Sequence, residues 1–203
     1  ADRSRGLGDV YKRQDLKFHG EKTTLTIGNR NSIREFVTMH RGTEDGGGKT
    51  VVGDDCLFMV YSHVAHDCRV GNHVIMANCA TQAGHVEVDD FAILGGLSGY
   101  HQFVRVGAHC MVSGGAIVIQ DLPPYINAQG DRAKPAGINS TGLLRRNYSK
   151  DAVRAIKNAY KILYRSDMKL EDALQKIDTE YGSLEEVKVF TDFIRGSERG
   201  IAR

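Results

Sequence analysis

No run of apolar residues in this 203-residue chain approaches the ~18 needed to cross a bilayer, and its N-terminus lacks the apolar stretch of a secretory signal. Membrane insertion is therefore not expected, and cytoplasmic residence is the default. Nor is there an excess of either charge. The 27 Lys and Arg nearly balance the 25 Asp and Glu, which leaves no basic field large enough for nucleic acid, although a local anion pocket remains open. Cysteine is sparse. Cys56, Cys68, Cys79 and Cys110 have neither the paired short spacing of a zinc site nor the density of a disulfide scaffold, so reduced, structural thiols are expected and no metal or other cofactor. What is present suffices for a core: 41% of the residues are hydrophobic, enough for one sizeable domain or a domain with an appendage.

The dominant signal is a period of six. From Val52 the chain reads Val52, Phe58, Val64, Val70, Met76, Gln82, Val88, Leu94, Tyr100, Val106, Val112, Val118, and eleven of these twelve are bulky apolar or aromatic. Four residues after each comes a second, tighter slot that is nearly always small or β-branched, from Cys56 to Leu122. Helices repeat at 3.6 and simple strands at 2, so a sustained six with two inward slots predicts a mainly β chain folded as a hexapeptide parallel β-helix. A further repeat of eighteen (Val52-Gly53, Val70-Gly71, Val88-Asp89, Val106-Gly107) makes three hexapeptides one coil with three faces.

The clock is detectable earlier at Ile27, Ile33 and Met39 and pauses over residues 42–50, GTEDGGGKT, which read as an ejected loop because charge and glycine runs cannot fill an inward slot. It ends at Asp121-Leu122-Pro123-Pro124. The expected organisation is a non-native leader over residues 1–14, the β-helix over 15–125, a polar connector over 126–148 and a helical region over 149–203 that caps the open solenoid end. Ser149 is the expected N-cap of the first long helix, Ser183 with Glu186 a capping box for the last, and Leu170, Leu174 and Ile177 mark one between them.

In such a coil the residues just after each large apolar one lie at a corner. His66, Gly84 and Gln102 differ by eighteen and should stack, with successive coils ~4.8 Å apart. Asp67 and His85 form the adjoining column, His101 lies on its other side, and His63 approaches from upstream. None of the four histidines occupies an inward slot, as core histidines would, so their convergence reads as a site. Cys56, Cys68 and Cys110 do sit inward; packing accounts for them, and Cys68 is a poor nucleophile. A histidine beside a carboxylate has the composition of a general base, and a glycine one coil away can bring its N–H to a substrate oxygen with no side chain in the way. His66 with Asp67 and Gly84 fit these parts. With no serine or cysteine nucleophile in the column, they suggest direct acyl transfer to a bound hydroxyl.

The segments SHVAHDCRVGNHV, QAGHVEVDDFAILGG, HQFVRVGAH, DLPPYINAQGDRAKPAGIN, GLLRRNYS, AYKILYRS and VKVFTDFIRGSERG resemble the UDP-N-acetylglucosamine O-acyltransferase family over about residues 15–203. The resemblance implies a left-handed coil, transfer of a 3-hydroxyacyl group from acyl carrier protein to the glucosamine 3-hydroxyl of UDP-N-acetylglucosamine at the opening of lipid A synthesis, and a homotrimer with sites between neighbouring solenoids. It implies His66 as base, Gly84 as oxyanion donor, and substrate contacts from Asp15, Lys17, His63, His85, His101 and Gln102. Asn139, Arg145 and Arg146 would reach the nucleotide from an adjacent chain, two arginines being suited to a diphosphate. Gly114 would leave the hydrocarbon groove open for a longer acyl chain. Thr141 stands where the pattern has glutamate, and the family begins several coils earlier, which reads as an N-terminal truncation. Competing readings are a histidine-zinc enzyme of the carbonic anhydrase type, a non-catalytic scaffold, and the N-acyltransferase relative.

Overall fold

The computed structural model describes Gln14 and residues 19–203; residues 1–13 of the expected leader and the expected substrate contacts Asp15 and Lys17 lie outside the described residues. From Thr24 to Val118 the chain winds through short parallel strands that stack into three sheets, one per face. All twelve residues of the six-residue series are at most 3% exposed, and the second inward slot is as dry, from Cys56 to Leu122. Strand partners are eighteen residues apart, as in Leu57 with Ile75, His63 with Thr81 and Glu87 with Arg105. The interior is thus a stack of layers in which every residue meets its counterpart one coil away.

The other half of each hexapeptide makes the corner, and it does so with unusual backbone. Asp55, Tyr61, Asp67, His73, Cys79, His85, Phe91, Leu97, Phe103 and His109 all have φ between 56° and 64°. An L-residue in this left-handed region costs roughly 1–2 kcal/mol. Coil-to-coil hydrogen bonds offset it: His85 N–H donates to His66 O, Phe91 N–H to Asn72 O and Leu97 N–H to Asn78 O. Asp67 departs from this scheme, its N–H donating instead to Thr50 Oγ1 at 2.8 Å.

Three details differ from the expectations. Ile27, Ile33 and Met39 keep register with Val52, Phe58 and Val64, but at an offset of 25 where later coils have 18, the difference being the inserted loop. Ile27 and Ile33 are exposed because no further described coil covers them. The loop is ejected only in its middle, a turn with Glu44, Asp45 and Gly47 exposed, whereas Thr43 at its start and Thr50 in the strand Lys49–Val52 are buried. And residues 126–148 are structured, with Ile126–Gln129 pairing parallel to Met111–Val112 and antiparallel to Lys134–Ile138 before helix α1 (Ser140–Arg145).

Helices α2 (Lys150–Arg165), α3 (Leu170–Tyr181) and α4 (Glu185–Arg195) then pack against one another. Ser149 caps α2 through Ala152 N–H, as expected, and α2 buries Val153, Ile156, Tyr160 and Leu163 on one face. The Ser183 capping box does not form. The N-cap of α4 is Leu184, with no side-chain bond, so Ser183 falls one residue too early to reach the first free N–H groups. No helix among the described residues is long and apolar enough to cross a membrane.

Candidate active site

His66 and Asp67 turn the corner between the strands His63–Val64 and Arg69–Val70. His66 Nδ1 lies 2.8 Å from Asp67 Oδ2, and the Asp67 side chain is fully buried while the His66 ring keeps 16% exposure. An ionised carboxylate only accepts, so Nδ1 carries the proton and donates, leaving the Nε2 lone pair free. Thr43 clamps the same carboxylate from the loop, its N–H donating to Oδ1 and its hydroxyl to Oδ2, each at 2.7 Å. Burial alone would raise the Asp67 carboxyl. The bonds from Thr43 and His66 outweigh it and hold the group below the usual carboxylate range. Gly46, from the same loop, lies so close that any Cβ would strike the Asp67 carboxylate.

One coil on, Gly84 faces the His66 ring. A Cβ there would sit 2.5 Å from Cε1 and 2.7 Å from Nε2, so the imidazole occupies space that only glycine leaves. Gly84 O accepts from Phe103 N–H, but its own N–H meets no acceptor among the described residues. His85 stands edge-on to His66 with ring centroids 5.2 Å apart, its Nε2 3.8 Å from Asp67 Oδ2, and its other face stacks on Phe103 at 4.4 Å. A polar cleft of about 500 Å³ opens beside Asp67 and His85.

His63 is reached from two sides. Its Nδ1 is 2.7 Å from Thr38 Oγ1 and its Nε2 2.9 Å from Gln14 Nε2, while Gln14 Oε1 accepts from His66 N–H at 3.1 Å. Gln14 thus bridges the two histidines although it falls in the segment read as a leader. Burial, with His40 alongside, pushes the His63 pKa down. His101 and Gln102 lie one coil beyond Gly84 and are exposed.

The remaining site candidates are not in this column. Asn139 spends both ends of its amide at home: Oδ1 caps α1 through Gly142 N–H and Nδ2 donates to His109 O. Arg146 lays its guanidinium 4.0 Å over the Phe91 ring, on a different corner where His73, Phe91 and His109 stack. Arg145 and Thr141 are exposed nearby. Gly114 sits on the third corner, stacked over Gly96, whose carbonyl a Cβ would approach to 3.1 Å. Within one chain, then, the base column, the arginines and Gly114 occupy three separate corners. Cys68 is sealed in the interior, where burial pushes its thiol up to about 12 and out of use as a nucleophile.

His66, Asp67 and His85 hold donor atoms within 4.8 Å of one another. Two histidines and a carboxylate already bonded by Thr43 do not make the three-histidine set that the zinc reading requires. The period of six missed Thr43, Gly46 and Thr50, because they lie where the clock pauses; a loop of glycines interrupting a solenoid just before the coil with a His-Asp pair was the available signal.

Residues 49–81 match the family model described as bacterial transferase hexapeptide (six repeats), and residues 121–202 match that of UDP-N-acetylglucosamine O-acyltransferase, domain 2. The chain is 50% identical over 194 residues to the acyl-[acyl-carrier-protein]–UDP-N-acetylglucosamine O-acyltransferase of Burkholderia mallei, covering 94% of this chain and 74% of that protein. Among solved structures it is similar to LpxA from Acinetobacter baumannii, with a TM-score of 0.90 at 41% identity over 94% of this chain and 74% of the other. The UDP-N-acetylglucosamine acyltransferase of Bacteroides fragilis gives the same TM-score and coverage at 44% identity.

Proposed function

The chain belongs to the acyl-[acyl-carrier-protein]–UDP-N-acetylglucosamine O-acyltransferase family and is an acyltransferase, and we propose that it moves a 3-hydroxyacyl group from acyl carrier protein to the glucosamine 3-hydroxyl of UDP-N-acetylglucosamine. The observation that carries this reading is the Gly84 N–H, without an acceptor among the described residues, beside the Nε2 of an Asp67-oriented His66. His66 Nε2 takes the hydroxyl proton as the oxygen attacks the thioester carbonyl carbon. The carbonyl oxygen, now carrying the charge, accepts from Gly84 N–H, and Asp67 stabilises the imidazolium. Collapse breaks the C–S bond, and the departing thiolate recovers the proton from His66.

Two features support a homotrimer whose subunits complete one another's sites. Leu57, Ile75, Ile93 and Met111 form an aliphatic row in register on the outside of one sheet, which water disfavours and a neighbouring solenoid would cover. On the adjoining corner Tyr61 and Leu97 are 57% and 71% exposed. Arg145, Arg146 and Gly114 lie on corners away from His66 in their own chain, so a nucleotide and an acyl chain spanning them would cross between chains.

Gly114 is the proposed acyl-length determinant, favouring a longer donor of about fourteen carbons by family resemblance. A methionine there displaces terminal methylenes worth about 0.8 kcal/mol each, so Gly114→Met shifts the preferred donor to a shorter chain; an unchanged product distribution from mixed-length donors assigns Gly114 to the turn alone. The reading as a whole is tested by mass spectrometry of the product from UDP-N-acetylglucosamine and a set of 3-hydroxyacyl carrier proteins. An O-acylated sugar nucleotide is expected, and its absence overturns the proposal.

A further inference from the structure

The tail that follows α4 runs back onto the solenoid. Asp121 N–H donates to Gly200 O at 3.0 Å and Ala202 N–H to Asp121 O at 2.9 Å, forming a bridge between Asp121 and Ile201. The buried Asp121 carboxylate accepts from Ser197 Oγ at 2.7 Å and from Arg105 N–H at 2.8 Å. Backbone and carboxylate therefore anchor the tail without help from Arg199.

Arg199 is committed elsewhere. Its Nε–H donates to Ile119 O at 2.7 Å, which aims the guanidinium, and its Nη2 lies 2.8 Å from His101 Nδ1. A guanidinium has only donors and keeps its charge at any pH the protein survives, so the nitrogen it faces must offer a lone pair. His101 Nδ1 also lies 3.2 Å from Gln102 O, a contact that is a hydrogen bond only when Nδ1 carries a proton. The two cannot coexist. Arg199 cannot reverse its polarity and is the nearer partner, so it decides the outcome: Nδ1 stays bare and the ring proton moves to Nε2.

We propose that Arg199 is a positioning residue that fixes His101 as its Nε2–H tautomer, making the site face of His101 a hydrogen-bond donor for an oxygen of the bound substrate. This rests on the reading that His101 contacts substrate in the acyl-transfer reaction. It also makes the chain's final segment part of the site, joined to it across 98 residues of sequence. A hydroxyl, carbonyl or phosphate oxygen fits the donor.

The test is tautomer-resolved ¹⁵N NMR of histidine-labelled protein, with His101 assigned through His101→Asn, alongside steady-state kinetics. The wild type is expected to show a bare Nδ1 and a protonated Nε2. Arg199→Ala frees Nδ1 to take a proton and turn to Gln102 O, and kcat/KM falls on the order of 10- to 100-fold, the scale of a lost charge-assisted hydrogen bond. Arg199→Lys, whose ammonium still donates, recovers part of both. Arg203→Ala breaks a tail bond to Leu163 O and leaves His101 and turnover as they were. A protonated Nδ1 in the wild type, or an unchanged tautomer in Arg199→Ala, overturns the proposal. So does a switched tautomer with undiminished kcat/KM. Failure of the acyltransferase reading is seen separately, as absence of product from the wild type, while the spectra still decide the role of Arg199.

Discussion

At the corner that carries Asp54, Asn72 and Asp90, two backbone N–H groups are covered by the side chain one coil ahead: Asn72 Oδ1 accepts from Asp54 N–H at 2.9 Å, and Asp90 Oδ1 from Asn72 N–H at 2.7 Å. At the corner that carries His66, Gly84 and Gln102 the backbone turns in the same way, with its next residues also at positive φ. There the ladder is missing. Gln102 makes no bond to Gly84 N–H, which is left facing the His66 ring. The first corner uses two of its donors to hold coils together, and the second leaves Gly84 N–H without an acceptor among the described residues. The difference lies in which side chain occupies one position of an otherwise common scaffold.

The histidines of the two corners diverge in the same sense. His66 is paired with a carboxylate and partly exposed. His109 is stacked between Phe91 and Tyr125, bonded to the Tyr148 hydroxyl at 3.1 Å, and pushed down to about 4 by burial and the nearby Arg146 charge.

Extending the ladder should have the largest effect. Gln102→Asp puts at the His66 corner the residue type that covers Asn72 N–H from Asp90, eighteen residues ahead in both cases. Its carboxylate should cap Gly84 N–H and lower kcat roughly 10²–10³-fold, the scale of losing an oxyanion donor. Gln102→Ala, which removes the amide and leaves the N–H open, should cost clearly less. Equal losses in the two variants would mean that the N–H is not the donor.

A smaller effect is expected from the loop. Thr43→Val deletes the hydroxyl bond to Asp67 while keeping the backbone bond, and should reduce kcat about tenfold, in line with a charge-assisted hydrogen bond of ~1.5–3 kcal/mol that is partly replaced. Because that bond helps hold the Asp67 carboxyl low, its loss should also lower stability at neutral pH and flatten the decline of stability toward acid. A depressed carboxylate stabilises the folded state above its unfolded pKa, and that contribution fades as pH falls through the folded one. Unchanged kcat and an unchanged pH dependence of stability in Thr43→Val would mean that the hydroxyl bond does not act on Asp67.

The smallest effect belongs to the aromatic corner and should appear in stability alone. With a folded pKa of about 4 against ~6.5 unfolded, His109 contributes stability in full above ~6.5, and the contribution is lost as pH falls from there toward 4. His109→Phe preserves the stack and removes the titration, so the decline in Tm between pH 6.5 and 4 should flatten by a few degrees while turnover at neutral pH holds. A turnover loss comparable to that of Gln102→Asp would erase the distinction between the corners.

The interior was legible because burial has a period: both inward slots can be read from residue size, and every position in them is dry. The stacking of His66, Gly84 and Gln102 followed from the same arithmetic. What the sequence hid has no period. Thr43 reaches Asp67 from an insertion, where counting stops, and Arg199 reaches His101 from the far end of the chain. Positive φ at Tyr61, Leu97 or Phe103 is invisible because these residue types rarely adopt it; coil-to-coil bonding imposes it. Ser183 shows the opposite limit, a local motif overridden when packing started α4 at Glu185.

The role proposed for His66 is tested by the turnover of His66→Ala beside that of the wild type, with Tm measured on both. Nothing in the inward slots depends on His66, so the fold should persist while kcat falls roughly 10²–10⁴-fold, the range for a lost general base. A folded His66→Ala that turns over substrate at the wild-type rate would contradict the account.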